Sequence, residues 1–195
     1  MASTALPTFR FADGACIAQA QPRALRPVSA ESPALSVMTD LTEVRAATVS
    51  ADLTLEQAEQ VMIQHGVRML FVVAKLPCVD GIVSFALLHG DRPITLVQQR
   101  HVRRTDLCVG DVMSRLSDLD VLDLAALGRA TVGDVVQVLQ DLDMAHLSVA
   151  EPATPQGPAR IRGVISRSQV ERQLGMSLPA IAVASSFAQI ERALA

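Results

Sequence analysis

Three cysteines, one lysine and no long apolar run are what this 195-residue chain offers where many functions need more. Cys16, Cys78 and Cys108 lie far apart with no CxxC spacing, so neither a disulfide framework nor a zinc site is expected. Charges interrupt the apolar stretches well short of the roughly 20 residues that span a bilayer, which argues against a membrane protein. Arg10, Asp13, Arg23 and Arg26 break the N-terminal stretches, and no basic segment precedes an apolar one as a secretory signal requires; a cytoplasmic location is expected. With a net charge of −3, the chain lacks the cationic face that displaces counterions from nucleic acid. Its local exception is Arg100, His101, Arg103 and Arg104, read either as an anion-binding cluster or as a solvated linker.

Catalytic signatures are missing too. There is no P-loop, no Rossmann glycine fingerprint, no nucleophile elbow and no HExxH, and His65, His89 and His101 have no partners at metal-ligand spacing. Asp118, Asp120 and Asp123 alternate without a His or Lys network that would make them acid and base. An enzyme is not expected.

What is present is a repeat. Half of the residues are apolar, enough for a core, and residues 54–73 align without a gap on residues 131–150. Thr54 matches Thr131, Gln60 matches Gln137, Val61 matches Val138, Leu70 matches Leu147 and Val72 matches Val149. Upstream, Val37-Met38-Thr39 is echoed by Val112-Met113-Ser114. Downstream, Gly81-Ile82-Val83-Ser84 is echoed by Gly163-Val164-Ile165-Ser166, after a longer loop in the second copy.

Each copy reads as β-α-β-β-α. Residues 44–49 have strand composition, and Thr54 with Gln57 forms a capping box ahead of a stripe of Leu55, Ala58, Met62 and His65. Residues 69–74 and 80–84 follow as strands. In the second copy, strands are expected at 121–124, 145–150 and 160–166. A helix there buries Val132, Val135, Val136, Leu139 and Leu142, and residues 168–174 close the unit. The expected fold is α+β: two pseudo-twofold-related units packed sheet to sheet, because each alone would expose an apolar sheet face. By this reading residues 1–33 form a flexible arm, 34–92 the first unit, 93–108 a linker, 109–175 the second unit, and 176–195 a tail packing on the body.

These residues resemble the cystathionine-β-synthase (CBS) domain, and the duplication resembles a stand-alone tandem pair, or Bateman module. The resemblance rests on the Val-Met-Thr lead-in, the capped helix, the strand from Val67 to Val73 and the Gly-x-x-Ser strand, in order and twice. It implies a regulatory module that binds an adenosyl ligand (AMP, ADP, ATP or S-adenosylmethionine) in a cleft between the units, uses no true cofactor, forms a homodimer through its helices, and signals to an effector protein in trans. It implies a ligand site drawn from Arg68, Met69, Ser84, Leu87, His146, Ser166, Arg167 and Gln169. In the family pattern a hydroxyl near phosphate is followed three residues later by an Asp that holds the ribose hydroxyls.

Here the hydroxyls are Ser84 and Ser166, but the Asp positions hold Leu87 and Gln169. Leu accepts no hydrogen bond and Gln accepts only at one oxygen. Losing a charge-assisted pair costs about 1.5 to 3 kcal/mol, a tenfold to hundredfold weaker site. The cleft with Ser166, Arg167 and Gln169 keeps a polar ribose partner and a cation. Plainer roles stand beside these: Arg68 as a strand-edge cation, Ser84 and Ser166 as helix caps, His146 as a core histidine. The alternative to a ligand sensor is a ligand-free interaction module whose clefts have degenerated.

Overall fold

The structure is a computed structural model that describes residues 26–155 and 157–179. Most of the expected arm and the expected tail helix around Phe187, Ile190 and Leu194 lie outside the described residues.

In chain order the elements are β1 (Met38–Asp40), β2 (Thr48–Val49), α1 (Leu55–His65), β3 (Met69–Val72), β4 (Gly81–Ser84), α2 (Phe85–His89), α3 (Asp91–Arg100), α4 (Val109–Val112) and β5 (Ser114–Arg115). There follow β6 (Val121–Asp123), α5 (Leu124–Leu127), α6 (Val132–Asp141), β7 (His146–Glu151), β8 (Arg160–Ser166) and α7 (Arg167–Leu174). The capping box forms as the sequence predicts: Thr54 Oγ1 accepts from Gln57 N at 3.2 Å and Gln57 Oε1 accepts from Thr54 N at 3.0 Å. Thr131 and Asp134 repeat it at the start of α6. The copies also turn alike. Gly66, which ends α1, and its aligned partner Asp143, just past α6, both adopt positive φ (63° and 54°), and Asp is one of the few other residues that tolerate it.

Two four-stranded sheets result, ordered β2-β3-β4-β5 and β6-β7-β8-β1. In each, a helix crosses over between parallel strands and a hairpin supplies the third. The fourth strand comes from the other half of the chain. Strand β1, which leads into the first unit, pairs antiparallel with β8 of the second (Thr39 opposite Val164), and β5, which leads into the second, pairs with β4 of the first (Ile82 opposite Ser114). Residues 38–40 were grouped with 34–92, and 114–115 with 109–175; in space each belongs to the opposite sheet. Backbone pairing carries no mark of its partner in the sequence.

Strand alternation divides the core in three. Leu70, Val72 and Val83 face Leu55, Met62 and Leu88 on the helical side of the first sheet. Leu147, Val149 and Ile165 do the same against Val132, Val135, Leu139 and Val170. Between the sheets, Met69, Phe71 and Ile82 pack with Ile161 and Val164, so the units meet sheet to sheet. Several side chains depart from the predicted stripes. Leu142 is 41 % exposed because it lies at the C-cap of α6, beyond the buried face, and Val44 is 45 % exposed in the turn after β1, which leaves only Thr48–Val49 as strand. His65, at the end of α1, is exposed.

Ser148 is the aligned counterpart of Phe71, on the inter-sheet face of β7; it is 5 % exposed and its Oγ has no partner. A buried hydroxyl without a bond costs about 1 to 3 kcal/mol. Ser148→Ala is therefore expected to stabilise the protein by about 1 kcal/mol, read as a higher urea midpoint; a lower midpoint would mean that the hydroxyl does find a partner.

The basic cluster is fastened down. Arg100 of α3 pairs with Asp111 of α4, Arg103 pairs locally with Asp106 at 2.9 Å, and Arg104 donates to the Leu88 carbonyl at 2.7 Å, which ties the linker to α2 of the first unit. No helix among the described residues is long and apolar enough to cross a membrane.

Candidate functional site

The hairpin register places the same two positions side by side in each copy: Met69 lies opposite Ser84, and His146 opposite Ser166. In both, the residue after the serine ties its N–H to the carbonyl that precedes β3 or β7, Phe85 to Arg68 at 2.8 Å and Arg167 to Ala145 at 2.9 Å. A short helix thus starts at the end of each hairpin.

From there the copies diverge. Ser84 Oγ accepts from Leu87 N at 3.2 Å and caps α2, while Leu87 packs against the first core. Met69, 7 % exposed, belongs to the inter-sheet cluster. In the first copy the hydroxyl is therefore a helix cap and both apolar side chains are committed to packing. Ser166 makes no cap bond; its Oγ lies 2.9 Å from Ser168 Oγ, leaving the N-terminus of α7 without a side-chain acceptor.

Gln169 lies one turn into α7 and is committed at both ends of its amide: Oε1 accepts from Thr39 Oγ1 at 3.2 Å and Nε2 donates to the Val37 carbonyl at 3.3 Å. Arg167 is two residues away, about 200° around the helix, and serves the C-terminal segment. Its Nη2 donates to the Pro179 carbonyl and its Nε stands 3.6 Å from Glu171 Oε1, which also accepts from Leu178 N at 3.0 Å. The cation that the sequence set beside Gln169 is thus held on a different side of α7.

A second cation acts on His146. Arg68 is exposed, with its guanidinium 5.8 Å from the Phe85 ring centroid, and its charge reaches His146 of the other unit. Burial, and then Arg68, push the His146 pKa below the ordinary 6.5. His146 is therefore neutral at pH 7, with one ring nitrogen free to accept and the other to donate. Phe85 in turn stacks near His89 (4.3 Å between centroids), which pairs with Glu59 at 3.1 Å.

The sign of the pH effect follows. Below pH 6.5 the unfolded chain takes up the His146 proton before the folded one, so stability falls as pH drops from 6.5 through the folded pKa. Arg68→Gln is expected to raise the His146 titration midpoint, followed by its ring proton shifts in NMR; an unmoved midpoint would place Arg68 too far away to act.

Sequence reasoning missed Thr39 as a partner of Gln169, and it missed the Asp40–Arg162 pair between β1 and β8. Arg162 Nε and Nη2 each donate to an Asp40 oxygen at 3.0 Å, and Arg162, followed by Thr42, holds the Asp40 carboxyl well below the usual carboxylate range. Their partners lie more than 120 residues apart, and no local pattern joins them. Among the described residues no group of three or more His, Cys, Asp or Glu could hold a metal ion.

No family model and no curated protein matches the chain. Solved structures do. The crystal structure of CBSX2, a CBS-pair protein of Arabidopsis thaliana, in complex with AMP is 18 % identical, with 72 % of this chain and 94 % of that one covered and a TM-score of 0.51. An uncharacterized conserved protein from Pyrococcus horikoshii is 17 % identical over 74 % of this chain and 93 % of its own, with a TM-score of 0.53. The CBS-domain containing protein ATU1752 from Agrobacterium tumefaciens is 17 % identical over 68 % and 88 %, with a TM-score of 0.51. The fold is that of a tandem CBS pair.

Proposed function

We propose that this chain, with the fold of a tandem CBS pair, is a non-enzymatic regulatory module that takes an adenosine-containing ligand (AMP, ADP, ATP or S-adenosylmethionine) in its second cleft and signals to a partner protein in trans. The observation that carries the reading is the open N-terminus of α7: Ser166 caps nothing, lies in register opposite neutral His146, and faces the side on which Arg68 of the other unit acts. Free N–H groups at a helix start, a hydroxyl and a cation suit a phosphate; a neutral imidazole suits a base or sugar edge. Likeness in fold to a protein crystallised with AMP supports the same choice.

Titration calorimetry with the four ligands tests it. Ser166→Ala should weaken the best of them about tenfold, the worth of one hydrogen bond to a charged group, whereas Ser84→Ala should leave affinity unchanged. Silence from the whole panel would overturn the reading.

A second reading, a ligand-free docking module, is favoured by one observation: the Gln169 amide and the Ser84 hydroxyl are both already bonded within the chain. Protein purified from cells that releases an adenine-absorbing molecule on denaturation would rule it out. A homodimer belongs to either reading. The matching outer faces of α1 (Gln57, Gln60, Val61) and α6 (Asp134, Val138) each line a groove, and Ile63 beside the first is 64 % exposed. Light scattering that gives the mass of one chain would remove the dimer.

A further inference from the structure

In the second copy a stretch of chain lies on the closing helix. Past Gly175 the backbone reverses, and residues 176–179 run back along α7 outside any helix or strand. Leu178 N donates to Glu171 Oε1 at 3.0 Å, Arg167 Nη2 donates to the Pro179 carbonyl, and the Leu178 side chain, 6 % exposed, joins the core of that unit. Arg167 and Glu171 are four residues apart on one face of α7, so a single helical turn holds the segment.

With Ser84 aligned on Ser166, the same two positions in the first copy are Phe85 and His89 of α2. Here they stay open: each is 39 % exposed, and among the described residues no segment of backbone is bonded to them. Their rings stack on each other, Glu59 of α1 is taken up by His89, and the exposed Arg68 stands beside the Phe85 ring. Arg68 has no carboxylate partner among the described residues. An exposed aromatic ring next to an arginine is the kind of pair that carries binding energy at protein interfaces, and an unpaired cation selects for an acidic partner.

We propose that the Phe85–His89 face of α2, with Arg68 at its edge, is the docking site for a short apolar, acid-flanked segment of an effector protein, which lies on α2 as Leu178 and Pro179 lie on α7. The repeat itself supplies the kind of occupant: one copy of this surface is already covered by a short apolar stretch of chain. Arg68, which Ala145 replaces in the second copy, supplies the preference for acid. This docking role rests on the reading of a module that acts on a partner in trans, and it is independent of the ligand.

The test is fluorescence anisotropy on the full chain with two labelled peptides. Both carry the Met-Ser-Leu-Pro sequence of residues 176–179, one flanked by Glu and its twin by Lys. The Glu peptide should bind about tenfold or more tightly than the twin, and Phe85→Ala and Arg68→Gln should each weaken it about tenfold, as for a residue central to an interface. Arg167→Gln should leave it unchanged. Both Phe85 and Arg68 are exposed, so urea midpoints like that of the wild type will show that the variants are folded. Equal binding of the two peptides, or full binding by Phe85→Ala, overturns the docking site, as does a loss on Arg167→Gln, which would place the peptide on α7. A dimer in light scattering that Phe85→Ala dissociates would make a second copy the occupant and overturn it too. Silence from both peptides overturns the docking site and leaves the ligand reading to calorimetry.

Discussion

Gly163→Val is expected to destabilise the protein by about 3 kcal/mol or more, through steric overpacking of a closed backbone crossing. Gly163 of β8 pairs with Asp40 of β1, at a close approach of the two strands. A Cβ there would lie 2.6 Å from Met38 Cγ and 2.9 Å from the Thr39 carbonyl oxygen. Methionine can move; a backbone carbonyl inside a ladder cannot, except by giving up the β1–β8 pairing and with it the Asp40–Arg162 bonds. Gly81→Val should do similar damage at the equivalent crossing, where a Cβ would strike the Ser114 carbonyl and meet Met113 Sδ at 3.3 Å. The measurement is urea unfolding of both variants. A midpoint within error of the wild type for either one would show that the exchanged strands are dispensable to that sheet.

Leu139→Ala is expected to cost about 2 to 5 kcal/mol, a transfer loss together with a cavity that close-packed neighbours cannot fill. Leu139 is fully buried in the cluster with Val135, Leu147, Val149 and Ile165. For a small protein of ordinary stability, about 5 to 15 kcal/mol in all, that is a large fraction. Leu142→Ala, three residues on and 41 % exposed, should change stability by no more than about 0.5 kcal/mol. The pair discriminates, because periodicity alone places both leucines on the buried stripe. Equal effects would mean that α6 continues past Asp141 with Leu142 turned inward.

The same contrast runs through the whole chain. Features set by neighbours in sequence were legible: both capping boxes, the buried positions Leu55, Ala58 and Met62 at helical spacing, and the hairpin strands. The duplication was legible because two equal units leave equal patterns; the left-handed backbone shared by Gly66 and Asp143 emerged only in the structure. The Gly-x-x-Ser strands were recognised as a motif, yet their glycines could not be explained until β1 and β5 were seen crossing them.

For the candidate residues the sequence supplies positions, and their contacts come only with the fold. Ser84 and Ser166 are equivalent by alignment, yet one caps its helix and the other does not. Arg167 was placed beside Gln169 by proximity in sequence, but the helix turn separates them and the C-terminal segment claims the guanidinium. Arg68 and His146 belong to different units, and only the packing of the two brings that charge near that ring.

By itself, then, the sequence determined the repeat, its β-α-β-β-α order, the helix starts and most of the buried side chains. These follow from period, capping chemistry and the need to bury one face of each element. Tertiary structure decided that each sheet takes its last strand from the other half, that Gln169 grips residues 37 and 39, and that Ser84 caps its helix while Ser166 bonds Ser168 instead. Backbone hydrogen bonds and long-range contacts are made between groups that nearly every residue carries, so their partners are selected by the assembled shape and leave no pattern along the chain.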